Sequence, residues 1–150
     1  MIGRTRPLVY VVAMRALAPF LSAIALAVSA NPAQAREWVD YFSYGEANLS
    51  PQGYRMAGEV ATYAKGESVS CLQIVAHLDT MEAQEFSTEL SRRRAQAVAT
   101  ELVLRGVDPT IIQLDARASG ELARPTADRV PEQLNRRVIV YAHREGPCPR

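Results

Sequence analysis

The chain predicts a two-layer α/β sandwich, a small mixed four-stranded sheet with two main helices packed on one face. Three observations lead there. Strand and helix signals alternate in the order β-α-β-α-β, then a loop or short helix, then β. The run "CLQIVAHL" (71–78) is almost continuously apolar, as in a central strand covered on both sides. The length left after an apolar leader, about 115 residues, suits one modest core rather than two.

The elements follow in order. "EWVDYFSY" (37–44) is rich in aromatic residues and reads as the first strand. In "LSPQG" Ser50 is a good N-cap, and Pro51 falls at the first helical position, where a missing N–H does no harm. Tyr54, Ala57, Ala61 and Ala64 keep helical spacing until Gly66 stops the run. After the second strand, a loop and helix start lead into a long helix lined by Phe86, Leu90, Ala97, Val98 and Leu102, with Gly106 as C-cap. "IIQLDAR" (111–117) is the third strand. Its helical link to the second predicts a parallel pair with a right-handed crossover. "NRRVIVYAH" (135–143) is the fourth, and "REGPCPR" carries two prolines and no periodicity.

Residues 1–35 have the order of a secretory signal peptide. Arg4, Arg6 and Arg15 come with no acid, Ala16 to Ala30 is apolar, and "AQA" (33–35) is a small-x-small cleavage site. The alternative is an uncleaved membrane anchor, although Arg15 and Pro19 interrupt it. The domain then occupies 36–146, with 147–150 as a short tail. The whole chain has 17 basic and 16 acidic residues. Without the leader's three arginines the remainder is slightly acidic, which argues against a nucleic-acid partner. Secretion implies an oxidising compartment, so Cys71 and Cys148 are expected to form a disulfide, with two free thiols the alternative.

Enzyme chemistry has little support. His77, Asp79 and Ser91 include the residue types of a hydrolase triad, but Ser91 lies within a predicted helix and has no nucleophile elbow around it. Two histidines without zinc spacing, and no phosphate loop, leave no metal or cofactor site to propose. The informative pair is Asp79 and Arg94. Asp79 stands just past the second strand, at the edge where crevices form in layered α/β domains. In "LSRRRAQAV" (90–98), Arg94 has Leu90 four residues before it and Val98 four after, so it shares their inner face. A carboxylate and a guanidinium bordering one pocket match a zwitterion: one takes an ammonium group, the other grips a carboxylate at two points. The alternative is a structural ion pair between the two.

"VAHLDT", then "LSRRRAQAVATELVLRGVDPTII", then "NRRVIV" resemble the OmpA-like domain, found in OmpA C-terminal regions, Pal lipoproteins and the stator protein MotB. The usual pattern is G-H-T-D, N-x-x-L-S-x-x-R-A, G-V and N-R-R-V. Leu90, Ser91, Arg94 and Ala95 match the second piece, and the resemblance runs from about Val39 to Tyr141. It implies non-covalent peptidoglycan binding in the periplasm. Asp79 holds the ammonium of the stem peptide's diaminopimelate, Arg94 holds its carboxylate, and Phe42, Ser87 and Arg137 are lesser wall candidates. It also sets the last strand antiparallel beside the second, which brings Cys71 near the segment leading to Cys148. Other envelope proteins become possible partners, and a membrane partner only if the leader stays.

Departures from the pattern thin the surroundings of the two charges. Ser43 and Gly45 replace polar or acidic positions after the first strand. Ala76 and Leu78 replace the glycine and threonine of G-H-T-D, and Ser87 replaces the asparagine. Arg136 and Arg137 alternate sides of the last strand, so one faces the helices and the other solvent. The competing expectation is therefore an envelope interaction or scaffold protein with the same fold and weakened or lost wall binding.

Overall fold

A computed structural model describes residues 35–149. The expected leader lies outside the described residues, apart from Ala35. Seven main elements follow in order: β1 (Arg36–Tyr41), α1 (Pro51–Gly66), β2 (Cys71–His77), α2 (Thr80–Glu85), α3 (Ser87–Leu104), β3 (Ile112–Ala118) and β4 (Arg137–His143). The sheet order is β1-β4-β2-β3. β2 pairs parallel with β3 and antiparallel with β4, and β4 pairs antiparallel with β1. The sheet is mixed and four-stranded, as expected.

β2 is buried at every position, because it lies inside the sheet and is covered on both faces. Leu72, Ile74 and Ala76 meet Val138, Val140 and Ala142 of β4, with Met56, Val60, Val98 and Leu102 of the helices above them. α1 packs on β1, while α3 packs on β2, β3 and α1. α1 starts as expected, with Pro51 in its first turn and Ser50 Oγ accepting from the Gly53 N–H at 3.1 Å. Tyr54 is exposed rather than inward.

Three differences from expectation bear on the site. β1 ends at Tyr41, because the chain turns at Tyr44–Gly45. The segment after Asp79 is the helix α2 rather than a loop, capped by Asp79 itself. The inner face of α3 carries Ser91 and Ala95 as buried residues beside the expected Arg94, while Ala97 is only partly covered.

The β2 residues that point to the sheet's other face are also covered. His77 is buried there, and its Nδ1 has no hydrogen-bond partner among the described residues. Burial, aided by the charge of Arg137, pushes its pKa down to about 4. The tail is tied down: Cys71 and Cys148 form a disulfide with Cα atoms 5.3 Å apart. The side-chain amides of Gln73 and Gln113 donate to the Pro149 carbonyl.

Candidate functional site

The site lies where β2 ends. Asp79 follows β2 by two residues and caps α2, and its Oδ1 accepts from the Glu82 N–H at 2.7 Å. That bond satisfies one of the unpaired donors of a helix start. Oδ2 accepts from the Glu132 N–H at 3.1 Å and from Arg136 Nη1 at 2.7 Å. Asp79 is therefore the buried acceptor for two backbone amides and one guanidinium.

Arg94 sits in the third turn of α3 with its side chain wholly buried. A guanidinium has five N–H donors, and here all five have acceptors. Nε donates to the Glu46 carbonyl at 2.8 Å. Nη1 donates to the His77 carbonyl at 3.4 Å and to Glu82 Oε2 at 2.8 Å. Nη2 donates to the Ser43 carbonyl at 3.1 Å and to Glu82 Oε1 at 2.7 Å. The Phe42 ring lies against the guanidinium, 4.9 Å from Cζ to the ring centroid.

Glu82 holds the two charges together. Its backbone N–H meets Asp79 while its carboxylate forms a two-point pair with Arg94. Its Oε1 also accepts from the Gly45 N–H at 2.8 Å. Gly45 has φ +70°, a conformation glycine takes without strain, and it presents its amide to the carboxylate from the turn above. That turn, Ser43–Glu46, covers Arg94. Tyr44 fastens it from outside by donating to Glu85 and by an edge contact with Phe86, ring centroids 5.7 Å apart. The bond to Glu85 pushes the Tyr44 pKa up to about 12.

Asp79 and Arg94 thus come to one site but do not pair with each other. Phe42 joins them as the floor under the guanidinium, and its carbonyl accepts from Arg136 Nε at 3.2 Å. Ser87 does not join them. It is exposed at the start of α3, with φ +54° and its Oγ near the Glu89 N–H. Arg137 does not join them either. Strand alternation sends it to the opposite sheet face, where it donates to the Glu121 carbonyl. Its neighbour Arg136 is the arginine at the site. Ser91 Oγ donates to the Thr88 carbonyl at 2.7 Å, within its own helix. Sequence reasoning missed Glu82 and Arg136. The signal for Glu82 was present in "DTME", a helix cap with an acid three residues on.

This fold has known counterparts. The OmpA family model matches residues 41–139, and the chain belongs to the OmpA family. It is 36% identical over 101 residues to the peptidoglycan-associated lipoprotein of Pseudomonas aeruginosa, which covers 65% of this chain and 58% of that protein. It is 28% identical over 102 residues to outer membrane protein A of Bordetella avium, covering 67% of this chain and 52% of that one. The chain thus spans only about half the length of these relatives. The OmpA-like domain of FopA1 from Francisella tularensis superposes with a TM-score of 0.63 at 20% identity, over 70% of both chains. The peptidoglycan-associated lipoprotein of Burkholderia pseudomallei gives 0.63 at 21% identity, over 70% of this chain and 89% of that one. These solved structures share the α/β fold.

Proposed function

We propose that this chain binds peptidoglycan non-covalently in the periplasm, taking the diaminopimelate of the stem peptide at Asp79 and Arg94, and so anchors or organises the cell envelope. The observation that carries this reading is the double engagement of Glu82. One residue offers an N–H to Asp79 and a carboxylate to Arg94 at once. An α-amino acid head group offers the same two functions, with a full ammonium in place of the amide. Buried donors and acceptors left without partners are costly, so a site that presents a carboxylate and a guanidinium selects for ligands that satisfy both. The reading also draws on the family and on the lipoprotein relative, whose name states an association with peptidoglycan. Binding requires no chemistry on the wall and no cofactor.

The test is co-sedimentation of the purified protein with two kinds of sacculi, one with diaminopimelate in the stem peptide and one with lysine in its place. Pelleting with the first kind, competed by free diaminopimelate and absent with the second, is the expected result. A folded protein that stays in the supernatant with both refutes the reading.

One observation favours a second reading. All five donors of Arg94 are already used within the chain. An envelope scaffold that keeps the fold and no longer binds the wall would have such a closed site, and failure to pellet is its signature.

A further inference from the structure

We propose that Glu82 is a resident competitor for the site, the residue that sets its affinity and decides which ligands enter. This rests on the wall-binding reading and adds to it a threshold. A ligand carboxylate reaches Arg94 only where the Glu82 carboxylate now lies, because no guanidinium N–H is free to receive a second one. The ammonium faces a similar exchange at Asp79, whose Oδ1 is held by the Glu82 N–H and whose Oδ2 is held by Arg136 and the Glu132 N–H.

The two occupants differ in how easily they leave. The Arg136 side chain is 12% exposed, whereas that of Glu82 is wholly buried. Glu82 must therefore move with its support. That support is a short helix: α2 has six residues, is set off from α3 by Phe86 and the left-handed start of α3 at Ser87 (φ +54°), and is tied to the loop after β3 through Thr80 Oγ1, which donates to the Ala127 carbonyl, and Gln84, which accepts from Arg129. The covering turn is held to α2 by the Tyr44–Glu85 bond and the Gly45–Glu82 bond. Movement of α2 would release both.

A tethered carboxylate has a high effective concentration at its partner. A lone carboxylate in solution cannot match it. A ligand that also brings an ammonium to Asp79 and further contacts to the surface can. Glu82 thereby converts a general carboxylate site into one that answers to the complete zwitterion. When the competent state is a minor fraction, apparent affinity falls by that fraction, so removing the competitor restores it.

The experiment titrates free meso-diaminopimelate and, separately, acetate into wild type, Glu82→Ala, Glu82→Gln, Glu82→Asp and the double variant Glu82→Ala/Arg94→Ala. Circular dichroism establishes which are folded. The expected result is at least tenfold tighter diaminopimelate binding by a folded Glu82→Ala or Glu82→Gln, lost in the double variant. Acetate raises the melting temperature of Glu82→Ala and leaves wild type unchanged. Glu82→Asp keeps the charge but shortens its reach, and falls between. A readout in wild type needs no variant: displacement of Glu82 frees the Gly45 N–H, so its amide resonance shifts as diaminopimelate saturates. Wild type that binds as tightly as the folded variants, or binds without moving the Gly45 amide, overturns the competitor and leaves the wall reading standing. If no folded protein binds diaminopimelate or sacculi, the wall reading falls, and the competitor with it.

Discussion

Replacing Arg94 by alanine is expected to cost about 3–5 kcal/mol of folding stability, the range for breaking a buried ion pair from one side. The contacts explain the size. The substitution removes the two-point pair with Glu82 and strands that carboxylate out of water with the Gly45 N–H. It takes the guanidinium donor from the carbonyls of Ser43, Glu46 and His77, and removes the cation from the Phe42 ring. A folded part of about 115 residues has roughly 6–17 kcal/mol in total, so the loss is a large share. At about 4 °C per kcal/mol, the melting temperature falls by about 12–20 °C. Urea and thermal melts followed by circular dichroism measure it. Glu82→Ala alone also destabilises, but the double variant costs less than the two singles together by about 1.5 kcal/mol or more, because no charge is left stranded. An Arg94→Ala melt within a few degrees of wild type, or strict additivity in the cycle, would refute the buried pair. The result also governs how wall-binding assays are read, since loss of pelleting by Arg94→Ala means nothing unless the variant is folded.

Three further outcomes follow from particular contacts. His77 is neutral in the folded state with a pKa of about 4. The unfolded chain, with a histidine pKa near 6.5, therefore binds more protons between these values, and stability falls with pH across that window by about 3 kcal/mol at pH 4. His77→Gln should lose less on acidification, and an NMR titration of His77 near its ordinary value would contradict this. Gly53→Ala places a Cβ 2.3 Å from Asp40 Oδ2, a clash that should cost about 1–3 kcal/mol in a urea melt; an unchanged midpoint would show that Asp40 moves freely. Cys148→Ser opens a link spanning 77 residues and should cost up to about 4 kcal/mol. Wild type should lose the same amount under reductant, and equal melts with and without reductant would argue against the bond.

The sheet and both long helices were legible because their burial is simple. β2 is almost continuously apolar and fully covered, and α1 carries its own start signal in Ser50–Pro51. Asp79 and Arg94 were legible as a polar pair at the edge of that layer, because an arginine on an apolar stripe requires a partner. Which partner it has was not legible. Arg94 is met by Glu82, by carbonyls 48 and 51 residues earlier in the chain, and by the end of β2. Helical spacing places a side chain on a face but says nothing of what the neighbouring turn brings to it. Arg136 and Arg137 show the same limit: alternation separates them, but the register with β1 decides which one reaches Asp79. Ser87 was misplaced for another reason. Its left-handed backbone at the α2–α3 junction turns it outward, and nothing in "EFST" announces that break.

The strand order sets how the domain carries a load. Arg36 pairs with Ala142 at one end of the sheet, while Asp79 and Arg136 lie beyond the other. A pull entering through the chain before Arg36 and resisted at the site runs along the strands for about 20 Å, the length of a six-residue strand. β1 is then loaded in shear against β4, and its rungs share the force instead of opening one after another. Reverse the direction of β1, and the same pull would peel it from β4 like a zip.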